Sequence, residues 1–386
     1  MMDFSRCDLS PDQERFQREV EAFFDDRWKH DERIIAVDHE RTPAALRLEM
    51  AERGWVHPQA STELGGAGLD DLGARILDEE MARRSIPTAN MGLLLDTLQG
   101  FGSAFVREQV LPDIVSGRKT VCLGYSEPEC GSDVAAAQTR AVRDGDDWVI
   151  NGQKMFTTWG HESDYVFLLT RTGSTQDKYG GLTMFLVPMD TPGVAHSPIW
   201  ILGDARTNVT YYADVRVSDD WRIGDVGAGW RVLSEPLAIE HGNGSDSTVT
   251  PINGSMGTMF SRTLTKLIAH VVEFAEGRLD DQGAKLIDDP TVRAVIVEAL
   301  IDLEICWNSK GEHGKPVTAE ILAKNTQAFV ELLGPEALLH HGRDGEPGPG
   351  VVAWSRLYAP GAAIYGGTTA IYWNNIARAM GLPKPY

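Results

Sequence analysis

Cysteine is scarce in this chain of 386 residues: there are 4, at Cys7, Cys122, Cys130 and Cys306, too scattered for a disulfide framework or a metal-site spacing. Basic residues are short as well. Lys and Arg number 36 against 56 Asp and Glu, a formal net charge of −20, which argues against a nucleic-acid partner whose phosphates this surface would repel. No stretch approaches the roughly 18 uncharged apolar residues that a membrane span needs. The opening MMDFSRCDLSPDQ has no basic region followed by an apolar run, so no signal peptide is expected. Internal repeats and low-complexity tails are missing too. A reduced, cytoplasmic protein is the expectation. What remains is ordinary globular composition, 42% apolar and 24% charged, in a chain long enough for two or three domains.

The hydrophobic period changes twice along the chain, which gives an α+β organisation in three parts. Residues 1–120 read as an N-terminal helical domain. Ser10 stands before Pro11 and Glu14 as an N-cap, and Phe16, Val20, Phe23 and Phe24 recur at helical spacing. Further helices are expected from Pro43 to Arg53, after Asp70 or Asp71 through Leu72, Ile76, Leu77 and Met81, and from Phe101 to Ser116. Residues 121–228 carry short β-rich runs (DWVING, DYVFLLTRT, GLTMFLVPMD, NVTYYADVRV) separated by turns, as in a small sandwich or barrel. Residues 229–386 return to helical spacing and make a C-terminal four-helix bundle. Its helices include one with Val232, Leu233, Leu237 and Ile239, one over Met256 to Phe274, and runs over Thr291 to Trp307 and Val317 to Leu333. His340 to Gly350 reads as a surface loop, and Thr368 as the N-cap of the last helix.

Two stretches carry the chemistry. VCLGYSEPECGSD (Val121 to Asp133) begins as an apolar strand, turns polar at Ser126-Glu127-Pro128 and ends in a bend of small residues where backbone can approach a ligand. NGQKMFTTW (Asn151 to Trp159) follows a hairpin signal at Arg143 to Asp146, so the strands joined there lie close together. Ser126 and Ser132 on one side and Thr157 and Thr158 on the other are expected at one pocket.

With YGGTTAI near the C-terminus and the loop GWVHPQASTELGGAGLD (Gly54 to Asp70), these motifs stand in the order found in acyl-CoA dehydrogenase flavoproteins, which this sequence resembles over nearly its whole length. The branch it most resembles is the actinobacterial type acting on steroid side chains as α2β2 assemblies. The resemblance implies FAD, an acyl-CoA thioester substrate oxidised between Cα and Cβ, and electron-transfer flavoprotein as acceptor. It also implies roles. Tyr125 and Ser126 match positions at the flavin ring, Ser132 a serine beside the thioester and the FAD phosphates, and Phe156, Thr157 and Thr158 a run against the isoalloxazine. Gly366, Gly367 and Thr368 match a loop over the flavin, with Thr368 opening a helix whose amides suit phosphate.

Such chemistry needs a base, because an α-proton beside a thioester is a very weak acid and the carboxylate that takes it must be desolvated. Many members carry that glutamate where this chain has Gly366. Others place it on the helix after the β domain, in a Leu-x-x-Glu-Arg pattern that Leu237-Ala-Ile-Glu240-His241 follows up to its last position, so Glu240 is the expected base. The plain alternative is a solvated helix carboxylate like Glu235. Gly366 would then offer only its N–H and leave room for a bulky acyl group. His241 stands where the family has an arginine near CoA, and Arg206 matches an arginine at the site mouth; both are candidate substrate contacts with structural alternatives. Cys130 reads as a small packed residue, and no metal is expected at Asp280-Asp281 or Asp288-Asp289.

Two departures concern assembly. Where homotetrameric relatives reach a neighbour's FAD pyrophosphate with Arg-x-x-Phe-Gly, this chain has RLDDQGAKLIDDP (Arg278 to Pro290), and a later Gln-x-x-Gly-Gly segment appears as Glu331-Leu-Leu-Gly334-Pro335. Acids are poor neighbours for a pyrophosphate. The expectation is a heteromeric tetramer with a related subunit. A non-catalytic partner subunit and an acyl-CoA oxidase remain open as alternatives.

Overall fold

The structure is a computed structural model and describes residues 9–28, 42–84, 86–87, 92–203, 205–240, 256–279, 282–309, 313–338 and 350–383. The N-terminal helices are α1 (Pro11–Arg27), α2 (Ala44–Ala51), α3 (Asp71–Arg83), α4 (Leu95–Phe101) and α5 (Leu111–Val115). Ser10 caps α1 through a capping box closed by Gln13, the residue beside the expected Glu14. Asp70 takes the Gly73 N–H at 2.7 Å at the start of α3.

The expected helix from Phe101 to Ser116 starts later than its first residue: α4 ends at Phe101, the chain turns at Gly102, and a continuous helical run over 104–115 follows, π-helical over Val106–Val110 and leading into α5. Two features explain the break. A Cβ at Gly102 would stand 2.3 Å from Leu98 O, and the Ser103 hydroxyl caps the Val106 N–H at 3.1 Å.

Eight strands follow: β1 (Val121–Gly124), β2 (Arg140–Asp144), β3 (Asp147–Lys154), β4 (Tyr165–Arg171), β5 (Leu182–Pro188), β6 (Val194–Trp200), β7 (Arg206–Ser218) and β8 (Arg222–Ile223). They make one sheet in the order β6-β7-β3-β2-β4-β5-β8, with β1 alongside β4. A single pair, Arg140↔Arg171, joins its two halves. Residues of both halves, among them Trp148, Ile150, Val166, Phe185 and Val215, share one apolar core. The hairpin between β2 and β3 closes at Asp144↔Asp147 around the two-residue turn Gly145-Asp146, whose first position is left-handed, φ 66°. β6 has no counterpart among the expected strands.

The remaining helices are α6 (Gly229–Glu240), α7 (Met256–Gly277), α8 (Pro290–Asn308), α9 (Gly314–Leu333), α10 (Val351–Ala362) and α11 (Thr369–Ala379). Sequence periodicity missed α10, which buries most of its circumference. α7 to α10 enclose one core, with Phe260, Leu267, Ala299, Phe329 and Tyr358. α6 belongs elsewhere: Val232 and Leu233 pack with Leu98, Ile114, Phe167 and Leu182, so the core of the sheet runs past the change of pattern at residue 228. The approach is close, since a Cβ on Gly229 would lie 2.6 Å from the Leu182 backbone. Of the expected surface loop, positions 340–349 lie outside the described residues. Among the described residues no helix is long and apolar enough to cross a membrane.

Candidate active site

The two chemistry-bearing stretches meet at the end of β1 and β3. After β1 the chain folds back on itself: Glu127 and Cys130 exchange backbone bonds of 2.8 and 3.1 Å. Beneath that loop lies a buried ion pair that sequence reading did not single out. Lys154 Nζ donates to Glu127 Oε1 at 2.7 Å and to the Tyr125 carbonyl at 3.1 Å. Glu127 also takes the Gln138 N–H at 2.7 Å and the Thr139 N–H at 2.9 Å. Burial alone would raise its pKa, but the Lys154 charge and these donors outweigh that and hold the carboxyl below its usual range. Cys130 is buried, and its thiol pKa is raised by burial and then by the Glu127 charge, so it is packing rather than a nucleophile.

Past Lys154 the ladder is interrupted. Lys154 pairs with Thr210, yet the next bond, Thr157 N–H to Asn208 O at 2.9 Å, spans one residue more on this side than on β7. The extra residue makes a bulge. Met155 turns its N–H to the Ser126 carbonyl at 2.9 Å, tying the two expected site stretches together. Phe156 takes the left-handed conformation, φ 58°, and is 58% exposed. Trp159 is left-handed too, φ 63°. Left-handed backbone costs a residue with a Cβ about 1–2 kcal/mol, so the surrounding structure has to hold this turn.

The four hydroxyls are placed differently from one another. Ser132 is exposed and Ser126 half-buried. The Thr157 hydroxyl is buried against that of Thr210 at 3.3 Å, so this residue shapes the turn from inside. Thr158 is half-buried, its hydroxyl 3.3 Å from that of Thr207. Arg206, half-buried at the start of β7, gives Nε and Nη2 to Asn208 Oδ1 at 3.2 and 3.0 Å.

The C-terminal loop is a pair of left-handed glycines, Gly366 (φ 63°) and Gly367 (φ 83°), before the Thr368 cap, whose Oγ1 takes the Ile371 N–H at 3.3 Å. Two buried side chains that sequence reading missed hold it from behind. Tyr372 donates its hydroxyl to the Gly366 carbonyl at 3.0 Å, and Lys315 on α9 donates to the Gly367 carbonyl. Glu240 is the last residue of α6, whose Pro236 lacks the N–H that would bond Val232. One turn before Glu240, Glu235 takes a bond from the buried Thr97 hydroxyl at 3.0 Å. His241 lies outside the described residues. Asp289 is an N-cap, accepting from Thr291 and Val292 N–H groups. Among the described residues no cluster of three His, Cys, Asp or Glu could hold a metal.

The family description "Acyl-CoA dehydrogenase, N-terminal domain" matches residues 10–118, and "Acyl-CoA dehydrogenase, middle domain" matches residues 122–213. The chain belongs to the acyl-CoA dehydrogenase family. It is 34% identical over 342 residues to acyl-CoA dehydrogenase IpdE1 of Mycobacterium tuberculosis, covering 83% of each. Its structure is similar to that of the ChsE4-ChsE5 complex from Mycobacterium tuberculosis, with TM-score 0.81 and 26% identity over 99% of this chain and 100% of that one. A steroid acyl-CoA dehydrogenase, Tcur3481-Tcur3483, shares the fold at TM-score 0.85 and 23% identity, over 99% of this chain and 100% of that one. The chain is therefore an oxidoreductase of the acyl-CoA dehydrogenase type. Sequence motifs named the candidate loops; the buried groups that fix them, Glu127, Lys154, Asn208 and Lys315, stand among other polar residues and carried no signal that they would be buried.

Proposed function

We propose that this dehydrogenase oxidises a bulky acyl-CoA, such as a steroid side-chain thioester, between Cα and Cβ with FAD, and that Glu240 takes the Cα proton. The observation that carries this reading is the division of labour between two positions. Position 366 is a glycine on a left-handed turn and offers no carboxylate, while α6, packed on the sheet's core through Val232 and Leu233, ends at Glu240. The residues present fit the cofactor. An uncovered Phe156 beside half-buried Tyr125, Ser126 and Thr158 suits a flat ring, and Ser132 with the amides at the start of α11 suits phosphates. What bound FAD would supply is an acceptor for the Cβ hydrogen, since no side chain takes a hydride.

On this reading Gly366 and a neighbouring N–H hold the thioester carbonyl as negative charge gathers on it, and that hold lowers the barrier to proton loss. Glu240 draws the proton from Cα. His241 is a substrate-side candidate. The absent side chain at Gly366 leaves space for rings rather than a straight chain.

A related second subunit completes the assembly, with electron-transfer flavoprotein taking the electrons. Support comes from the region that replaces the family's pyrophosphate-reaching element: Arg278 is paired with Glu336 of its own chain at 2.5 Å, and Asp280 and Asp281 follow it in the sequence. The ChsE4-ChsE5 structure, a complex of two named chains, is consistent with that arrangement. Purifying the chain alone and with its related subunit tests both points. A yellow protein bleached by a bulky acyl-CoA, and not bleached when Glu240→Gln is present, is the expected result. Unchanged bleaching by Glu240→Gln would remove Glu240 from the reaction, and bleaching of the chain alone as a homotetramer would remove the second subunit. Oxygen uptake during turnover would move the assignment to an oxidase.

A further inference from the structure

Thr157 and Thr158 sit in a turn that two left-handed residues, Phe156 and Trp159, hold out of the ladder. A turn made of unfavourable conformations does not hold itself; something must over-determine it. The agent is Asn208. This residue is fully buried and engages Thr157 twice, its carbonyl taking the Thr157 N–H at 2.9 Å and its Nδ2 donating to the Thr157 carbonyl at 3.0 Å. Nδ2 also faces His161 Nδ1 at 3.2 Å. The side-chain amide thus does for a bulged strand what the next backbone N–H would do for a regular one.

An amide can rotate by half a turn and exchange oxygen for nitrogen. Here it cannot. Arg206 is donor-only, so the atom meeting its Nε and Nη2 has to be the oxygen, and the NH2 group is thereby aimed at Thr157. We propose that Asn208 is a positioning residue that sets the Phe156–Trp159 turn against the flavin, and that Arg206 acts on the site through Asn208, by locking the amide, rather than as a substrate contact. This rests on the flavin reading above.

Asn208→Asp is the informative change. Aspartate keeps the shape and the acceptor for Arg206 but turns a second acceptor on the Thr157 carbonyl, where Asn208 had a donor. Arg206→Lys keeps charge, loses the forked grip and lies half-buried, so it tests the same idea if Asn208→Asp fails to fold. The assembly is purified with each variant, stripped and titrated with FAD, recording the dissociation constant, the visible spectrum of the bound flavin, and the melting temperature with and without FAD.

The expected result for Asn208→Asp is an FAD dissociation constant raised about tenfold or more, an altered spectrum, and loss of the melting-temperature rise on FAD addition. Arg206→Lys shifts the same quantities in the same direction, and the double variant loses no more than Asn208→Asp alone. If apo and FAD-bound melting temperatures fall together while affinity and spectrum stay as in the wild type, Asn208 is merely structural and the proposal is overturned. Additive losses in the double variant overturn the indirect role of Arg206. A wild-type assembly that takes up no FAD overturns the flavin reading itself, and this proposal with it.

Discussion

Lys154 Nζ lies 2.7 Å from Glu127 Oε1, and the lysine has no exposed surface at all. The two residues stand 27 positions apart, each within two residues of a segment expected at the flavin. Two ions taken out of water are stable only while both are present and their remaining donors and acceptors are met, as they are here through Tyr125, Gln138 and Thr139. Glu127→Gln should therefore cost about 3–5 kcal/mol of unfolding free energy, because it strands the ammonium. Replacing both with apolar residues, Glu127→Leu with Lys154→Met, should cost far less. Urea unfolding of the three variants checks this; equal losses in single and double variants would contradict it. Glu127's folded pKa is depressed, so its contribution is present above the ordinary carboxylate range and lost as pH falls through the lower folded value.

His57 gives a prediction near neutral pH. Burial pushes its pKa down to about 4, against a small opposing effect of the Ile114 backbone, so the folded protein keeps it neutral. The unfolded chain binds a proton near pH 6.5 and the folded one does not, so stability is fully present above that value and falls between it and about 4. Going from about pH 7.5 to about 5.5 should cost about 1.4 kcal/mol through this group. Unfolding curves at the two pH values should differ less for His57→Gln than for the wild type by that amount; parallel behaviour would show that His57 carries none of the dependence.

Gly366→Glu separates the two base positions. The turn is left-handed there, φ 63°, so a residue with a Cβ brings strain of about 1–2 kcal/mol. It also fills the space assigned to the acyl group. With Glu240 intact, kcat/KM for a ring-bearing acyl-CoA should fall about tenfold or more while a short straight-chain substrate is affected less. Equal losses for both substrates would mean that Gly366 does not line the acyl pocket.

Tyr372→Phe removes the hydroxyl that holds the Gly366 carbonyl at 3.0 Å without changing the ring that Lys315 faces 5.2 Å away. The expected cost is about 1 kcal/mol of stability, with weaker FAD binding because the turn loosens. A stability loss with unaltered FAD affinity would place this contact outside the site.

Much of the fold was legible because its signals are local. Ser10 and Pro11 announce α1, Arg143 to Asp146 the hairpin, and Thr368 the last helix, and each acts within four residues of itself. Among the elements that escaped, α10 and β6 have physical reasons. α10 (VVAWSRLYAPGA) carries Pro360 near its end and leaves only a narrow exposed stripe at Arg356 and Pro360, so it reads less plainly as a helix. β6 (VAHSPIW) contains Pro198, which only an edge strand tolerates, and edge position is a property of the assembled sheet.

The site divides in the same way. By itself the sequence pointed to the loops proposed to bear the chemistry and to the glutamate proposed as base, because motif order and a glycine at position 366 are properties of the chain alone. Tertiary structure decided how those loops are held. Glu127 meets Lys154 across 27 residues, Asn208 meets Thr157 across 51, and Lys315 meets Gly367 across 52. Pairings over such distances are set by which strand and helix ends pack together, and a polar residue shows its purpose only once burial has removed water as its partner.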